Sequence, residues 1–350
     1  MINVKDVPRA AVVAAAVLLA AGAARADTAP WPTDWNNWND PALWVTVGNP
    51  GNAADTRYET PGYGAVAYTF NMGKFEVTAG QYTAFLNAVA KTDTYGLYNI
   101  QMMWTDYGCG ITRSGSSGSY TYSVASDWTS RPVIKVSWGD AARFANWLTH
   151  GQPTGAQDAS TTEDGSYYLN GAINDAELLA VVRKSHEQGG RYYIPTEDEW
   201  YKAAYYKGGG TNAGYWDYPT TSNTAPGRDM ADASGNNANY YTGASPYPID
   251  SGKYTTVAGE FENSDSPYGT FDQGGNVWER NEAVIGSYRG LRGAGFGDAG
   301  AGNLVIAAHR DNIYPTYQYF DIGFRVSEVP EPATMSLLAL GGLVALRRRR

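Results

Sequence analysis

The chain has 350 residues, 43% of them hydrophobic, enough for one large domain or two ordinary ones with a real core. Its formal net charge of −9 at pH 7 deepens to about −15 once the basic ends described below are removed, which excludes nucleic acid and anionic membrane surfaces as partners of the body. A single cysteine, Cys109, excludes an intrachain disulfide.

Lys5 and Arg9 precede the apolar run Ala10 to Ala24, and Ala24-Arg25-Ala26 is a small-residue cleavage site. That order predicts a secretory signal peptide over residues 1–26 and a mature chain starting near Asp27. Residues 27–64, with Trp31, Trp35, Trp38 and Trp44, read as an irregular lead-in ending in a strand. Ala65 to Phe70 and Lys74 to Val77 alternate, which predicts two strands joined through Asn71-Met72-Gly73. Thr78 is placed to cap a helix from Ala79 to about Ala90, with Tyr82, Phe85, Leu86 and Val89 at helical spacing. The Tyr-, Gly- and Ser-rich stretch Gly96 to Ser130 reads as a long ordered loop, Ser114 to Ser119 being its most mobile part. Pro132 to Trp138 predicts a short strand, and Gly139-Asp140 opens a second amphipathic helix through Phe144, Trp147 and Leu148.

Residues 151–176 read as an excursion and Glu177 to Ser185 as a short helix. Thr196, followed three residues later by Glu199, fits a capping box for a helix whose inner face is Trp200, Ala203 and Ala204. From Lys207 to Asn263 no periodicity is apparent, and that much irregular chain calls for stabilising hydrogen bonds or bound metal. Phe271 to Arg280 follows, with Gly274-Gly275-Asn276-Val277-Trp278-Glu279 at its centre and Arg289 to Phe296 as its apparent partner. Paired glycines permit a fixed loop packed by Trp278; they also permit several carbonyls to converge on a hard cation. Tyr288 to Gly293, Leu304 to His309 and Ile322 to Val326 are each short enough for a strand.

The end of the chain has three parts: Val329-Pro330-Glu331-Pro332-Ala333, the apolar run Met335 to Leu346, and Arg347 to Arg350. The run is too short for a relaxed bilayer span but adequate for a sorting helix held by basic residues. This tail, residues 329–350, resembles the PEP-CTERM sorting signal. The resemblance implies a Gram-negative bacterium, an exosortase as partner, and transient membrane insertion of residues 335–346. It also implies a cell-surface or extracellular destination after processing, or a membrane anchor without it.

Six segments occur in an order that resembles the sulfatase-modifying-factor domain of formylglycine-generating enzymes. They are Lys74 to Thr78, Pro132 to Ala141, Ile194 to Trp200, Gly274 to Glu279, Leu291-Arg292-Gly293 and Ile322 to Arg325. The resemblance covers residues 65–327 and implies an α+β fold: one mixed, loop-rich domain related to C-type-lectin-like folds. Active members bind copper through two cysteines that precede a downstream Arg. Here the matching segment, Gly293 to Arg310, holds Gly297, Asp298, Gly302 and Asn303 but no thiol. Soft thiolates hold copper(I), and carboxylate, amide or glycine cannot replace them, so neither copper nor formylglycine generation is expected. Cys109 cannot form the pair alone, and His150, His186 and His309 lack a metal-ligand spacing.

Calcium carries over better. The resemblance implies a structural ion held by Asp272, Gln273, Gly275 and Val277, and a second held by Asn239, Tyr240 and Asp250, although the spacing after Asp250 departs from the pattern. The plain alternative has Asp272 capping a turn and Asp250 solvated. Arg292, Arg310 and Arg325 are expected to pair with Glu197, Glu199 or Glu279. The resulting expectation is an exported, surface-associated, non-catalytic binding or structural module whose partner is exopolysaccharide or a surface protein. The rival is a metal-dependent oxidase or hydroxylase of the nonheme-iron type acting on exported peptides.

Overall fold

A computed structural model describes residue 32 and residues 34–329, apart from 233, 244–246, 251 and 299–304. The signal peptide and the sorting tail lie outside the described residues. In chain order the elements are β1 (Trp44–Val47), β2 (Phe70–Gly73), α1 (Ala79–Val89), β3 (Ile111–Ser114), β4 (Thr121–Val124), α2 (Trp138–Thr149) and α3 (Asp175–Ala180). They continue with β5 (Tyr192–Tyr193), α4 (Glu197–Tyr205), β6 (Trp278–Ile285), β7 (Tyr288–Arg292), β8 (Asp311–Ile313), β9 (Ile322–Gly323) and β10 (Ser327–Glu328). This is the mixed, loop-rich architecture expected, with the described part of 207–263 free of regular elements.

One sheet has the order β1-β2-β10-β5 and a second the order β8-β7-β6-β9; β3 and β4 form a separate hairpin. Among the described strands, β6 and β9 pair in parallel and the other pairs are antiparallel. The lead-in is part of the fold, because Trp44 to Val47 register against Gly73 to Phe70 and Trp38 is buried in the main core. That core fills the space between α1 and α2. Phe85 and Phe144 meet edge-on at 5.2 Å, with Trp147 at 5.2 Å from Phe85 and Phe324 at 5.4 Å from Phe144. Edge-on aromatic pairs add to the stabilisation that burial already supplies.

The helices start where their caps are. Thr78 with Gln81, Ser137 with Asp140 and Thr196 with Glu199 each form a reciprocal capping box. In α2 the Ser137 hydroxyl accepts from the Asp140 amide at 3.0 Å and the Asp140 carboxylate accepts from the Ser137 amide at 2.7 Å. Ser137→Ala is expected to destabilise the protein by about 1 kcal/mol in urea unfolding. An unchanged midpoint would show that packing alone sets the helix start.

Several expectations are corrected. Asn71-Met72-Gly73 is not a turn but the body of β2, with Met72 fully buried, because pairing with β1 and β10 on both sides outweighs the local turn preference. Residues 65–69 and 74–77 carry no strand. Within Gly96 to Ser130 the chain builds the β3–β4 hairpin: Ser114 ends β3, paired with Thr121, and Gly115 to Tyr120 form the connection, with Gly115 and Gly118 left-handed. Pro132 to Trp138 is not a strand, since Lys135 has φ +63° and breaks the ladder. Its amides bond singly instead, Val133 to the Val77 carbonyl and Lys135 to the Tyr319 carbonyl. The short helix after the excursion starts and ends earlier than expected, at Asp175–Ala180, because Asn174 caps it. Residues 305–310 are irregular because Arg292 occupies the carbonyls of Ala307 and His309, at 3.0 and 2.7 Å, which a strand would need. Of the expected Ile322 to Val326 strand only β9 (Ile322–Gly323) forms, and β10 follows beyond it at Ser327–Glu328.

Candidate functional site

The Gly-Gly loop is held in three left-handed positions, Asp272 (φ +59°), Gly275 (φ +85°) and Asn276 (φ +61°). Gly275 admits no side chain, because a Cβ there would fall 2.3 Å from the Asn239 carbonyl oxygen. The loop is fastened by Gly275 N–H to Gly293 O at 2.8 Å and Asn276 N–H to Asn239 O at 2.7 Å. The Asn276 side chain donates to Glu76 at 2.8 Å and accepts from the Thr256 amide at 2.9 Å. Gln273 is buried and donates to the Trp200 carbonyl at 3.1 Å, while Val277 is packed into the main core.

Around this loop three carboxyls share one guanidinium. Arg325 and Glu279 are both fully buried and paired at 2.5 Å. Asp272 accepts from the Gly259 amide, and burial pushes its carboxyl up to about 6. Burial, then the charge of Asp272, pushes Glu76 well above the carboxylate range, and its Oε1 has no hydrogen-bond partner. Ionised, the three carboxylates and Arg325 together carry two unmatched negative charges, which one divalent cation would cancel. Hard oxygens and excess negative charge fit calcium. A cavity of ≈ 10 Å³, about one water-sized sphere, lies against Asp272, Gln273 and Asn237.

The second candidate set is only partly assembled. Asn239 packs against the Gly-Gly loop, donates to the Tyr254 carbonyl at 2.7 Å, and leaves its buried Oδ1 unpartnered. Tyr240 donates to the Pro226 carbonyl and packs with Trp278. Asp250 is ion-paired with Arg131 rather than solvated. Among the described residues no three His, Cys, Asp or Glu side chains converge as a metal-binding group.

The arginines are structural, as expected. Glu197 receives Arg292 at 2.7 Å and also Arg310. Glu199, fully buried, is bound by Arg183 at 3.0 Å, and the burial that would raise its carboxyl is outweighed by Arg183, which holds it below its ordinary value. Neither Glu is placed for acid–base work. Cys109 is fully enclosed in the main core, 3.8 Å from the Ile134 carbonyl, and burial pushes its thiol up to about 12. His309 lies against Trp278 with ring centroids 5.5 Å apart and the planes tilted, and burial lowers its pKa.

A cleft that the sequence did not announce lies where Gly295 to Asp298 meets Tyr319 to Asp321. Phe296 contacts Tyr254 at 5.3 Å and Phe320 at 5.8 Å; Tyr107 stacks on Tyr254 at 4.6 Å and meets Phe320 at 5.1 Å. Trp104, Tyr107 and Tyr319 are exposed at its rim. Asp321 is only 5% exposed, and its Oδ1 receives no hydrogen bond from another residue. Burial, then the nearby charge of Asp298, pushes Asp321 up to about 7. Asp298 accepts from the Gly295 amide at 2.8 Å. Lys135 reaches toward the cleft, 5.8 Å from the Trp104 ring and 5.9 Å from the Phe320 ring, with its ammonium on Gln101 at 2.7 Å. Gly302 and Asn303, the other residues of the thiol-free segment, lie outside the described residues. The only sequence signal for the cleft was the aromatic run ending in an acid, Tyr317-Gln318-Tyr319-Phe320-Asp321.

The sequence matches the family described as the sulfatase-modifying factor enzyme 1-like domain over residues 12–329. Residues 328–350 match the PEP-CTERM protein-sorting motif, which indicates an exported, surface-targeted chain and implies processing by an exosortase. No curated protein matches the chain. Among solved structures, Treponema denticola variable protein 1 is 19% identical at TM-score 0.49, covering 82% of this chain and 95% of that one. The crystal structure of CarF is 21% identical at TM-score 0.46, covering 82% and 98%. PvdO from Pseudomonas aeruginosa is 17% identical at TM-score 0.44, covering 82% and 91%. The family match spans both sheets, the Gly-Gly loop and the cleft: the chain belongs to the sulfatase-modifying factor enzyme 1-like family and carries a PEP-CTERM export motif.

Proposed function

We propose that this protein is a non-catalytic binding module of the cell surface or extracellular matrix, braced by calcium and holding exopolysaccharide or another surface protein through its aromatic cleft. The observation that carries this reading is the position of sulfur. The only thiol, Cys109, is sealed in the core and protonated, so nothing in the chain offers the paired thiolates that copper chemistry requires. The cleft beside Phe296 carries carboxylates and aromatic faces instead, a lining suited to binding polar rings rather than to activating oxygen.

Calcium at the first site would be held by the Asp272 carboxylate with backbone carbonyls from Gln273, Gly275 and Val277. At the second site the Asn239 amide oxygen is a ready donor beside Tyr240, whereas Asp250 would have to leave Arg131. The tail acts through exosortase, with residues 335–346 inserted in the membrane until it is processed.

Metal analysis and thermal unfolding of the purified protein test this. The expected result is calcium, with no stoichiometric iron or copper, and a melting temperature that falls on chelation and returns with calcium. At calcium one hundredfold above its dissociation constant the stabilisation is about 2.7 kcal/mol. Stoichiometric iron or copper accompanied by oxygen consumption would overturn the reading in favour of an oxidase or hydroxylase.

A further inference from the structure

The cleft over Asp321 joins two kinds of recognition that rarely coincide by accident of packing. One is a run of aromatic contacts, Tyr107, Tyr254, Phe296 and Phe320, that reaches the surface at Tyr107 and, through Phe320, at Tyr319, with the exposed Trp104 across Lys135 from Phe320. The other is a carboxylate oxygen buried beneath those rings with no partner from another residue. Buried polar atoms are almost always satisfied, so an orphaned carboxylate oxygen at the floor of a cleft marks a place for a donor from outside.

The way in is over Gly297, which is exposed. A Cβ at Gly297 would stand 3.3 Å from the Phe320 ring and 3.4 Å from Asp321 Oδ2, so the missing side chain leaves space beside the ring edge and Oδ2, the neighbour of the buried, unpartnered Oδ1. The local charge is also one-sided. Asp298, Asp311 and Asp321 act on one another, and Asp106 lies close enough to act on Lys135. Lys135 is the nearby cation, but its ammonium is already on Gln101, and Asp321 keeps an unmatched oxygen. On the far side of Lys135, whose ammonium lies 5.8 Å from the Trp104 ring, an open hollow of about 590 Å³ is lined by Met103, Trp104, Thr105 and Asp106.

We propose that this cleft recognises an amino sugar with a free amine, within a cationic glycan chain: the ammonium sits on Asp321 above Gly297, and the sugar faces lie along Tyr107, Phe320 and Trp104. This names the ligand class of the binding module proposed above and rests on that reading. A bare ammonium would be served by the carboxylates alone; the run of aromatic rings requires a flat partner with apolar C–H faces, which a pyranose supplies.

Calorimetric titration of the purified full chain tests it with four probes: glucosamine hexasaccharide, its fully N-acetylated form, cellohexaose and hexalysine. The glucosamine oligomer is expected to bind at least tenfold more tightly than each of the others. Asp321→Asn and Gly297→Leu are each expected to weaken it at least tenfold, and Tyr168→Ala, at an exposed ring away from the cleft, to leave it unchanged. Unaltered circular dichroism and cooperative melting identify variants that have kept the fold. If all three glycans bind alike, the amine specificity fails while the glycan-binding reading survives. Hexalysine matching the amino-sugar oligomer overturns the inference in favour of a simple cation site. Wild-type affinity in Asp321→Asn overturns it as well. Failure of every glycan to bind overturns the inference and the exopolysaccharide reading together, and leaves another surface protein as the partner.

Discussion

Replacing Arg325 with Met is expected to destabilise the protein by about 3 to 5 kcal/mol, a large part of the 5 to 15 kcal/mol that separates most folded domains from their unfolded chains. The Arg325 side chain is fully buried and uses its whole donor set. It grips Glu279 through two nitrogens at 2.5 and 2.6 Å, and it reaches the Gly73 carbonyl at 2.9 Å and the Phe271 carbonyl at 2.8 Å. Those two carbonyls belong to β2 and to the entry of the Gly-Gly loop, so one guanidinium joins the first sheet to the second through the loop that the candidate calcium site occupies. Met fills the volume but leaves Glu279, Glu76 and Asp272 as buried carboxyls with no positive charge among them. Breaking one side of a buried pair is worse than replacing both, so Arg325→Met combined with Glu279→Gln should recover part of the loss. Urea unfolding measures both. A single variant within 1 kcal/mol of wild type would mean that a bound cation, rather than Arg325, neutralises the carboxyls.

That pair was legible in the sequence, and the reasons separate what can be read from what cannot. Helices α1, α2 and α4 were visible from their apolar spacing, helped by the cap at Thr78 and the capping box at Thr196, whereas the box that starts α2 at Ser137, just before the expected Gly139-Asp140, emerged only in the structure. The Gly-Gly loop was visible because left-handed backbone selects glycine. The segment around Lys135 was misread for the converse reason. Its φ of +63° is imposed by the Tyr319 carbonyl and the surrounding packing, and nothing in Val-Ile-Lys-Val announces it. The β3–β4 hairpin was hidden by composition, since Ile-Thr-Arg-Ser and Thr-Tyr-Ser-Val are flanked by so many Ser and Gly residues that the alternation looks like loop. The cleft was hidden by distance along the chain. Trp104, Lys135, Tyr254, Phe296 and Asp321 come from five separated segments, and Asp321 by itself reads as an ordinary loop acid.

Asp321→Asn is expected to make the protein more stable, and by an amount that depends on pH. In the folded chain burial and the charge of Asp298 raise this carboxyl from its ordinary 3.8 to about 7. A raised carboxyl binds its proton more tightly folded than unfolded, so wild-type stability from this group is highest below pH 3.8. It falls as pH rises and levels off above pH 7, where a buried charge persists. The neutral amide escapes that penalty. The variant should therefore match wild type near pH 3.5, if both are still folded there, and exceed it by on the order of 2 to 4 kcal/mol at pH 8. Taking the difference between the two proteins at each pH cancels Asp298, Asp311 and the other acids they share. A flat difference, or one that shrinks as pH rises, would show that Lys135 already neutralises the carboxylate. The growing difference has a functional corollary, because the group that destabilises the empty protein is the same one assigned to the ligand's ammonium. A site that carries an unmatched charge at the expense of its own fold, and that loses its ligand when the charge is removed, is organised for binding rather than for stability.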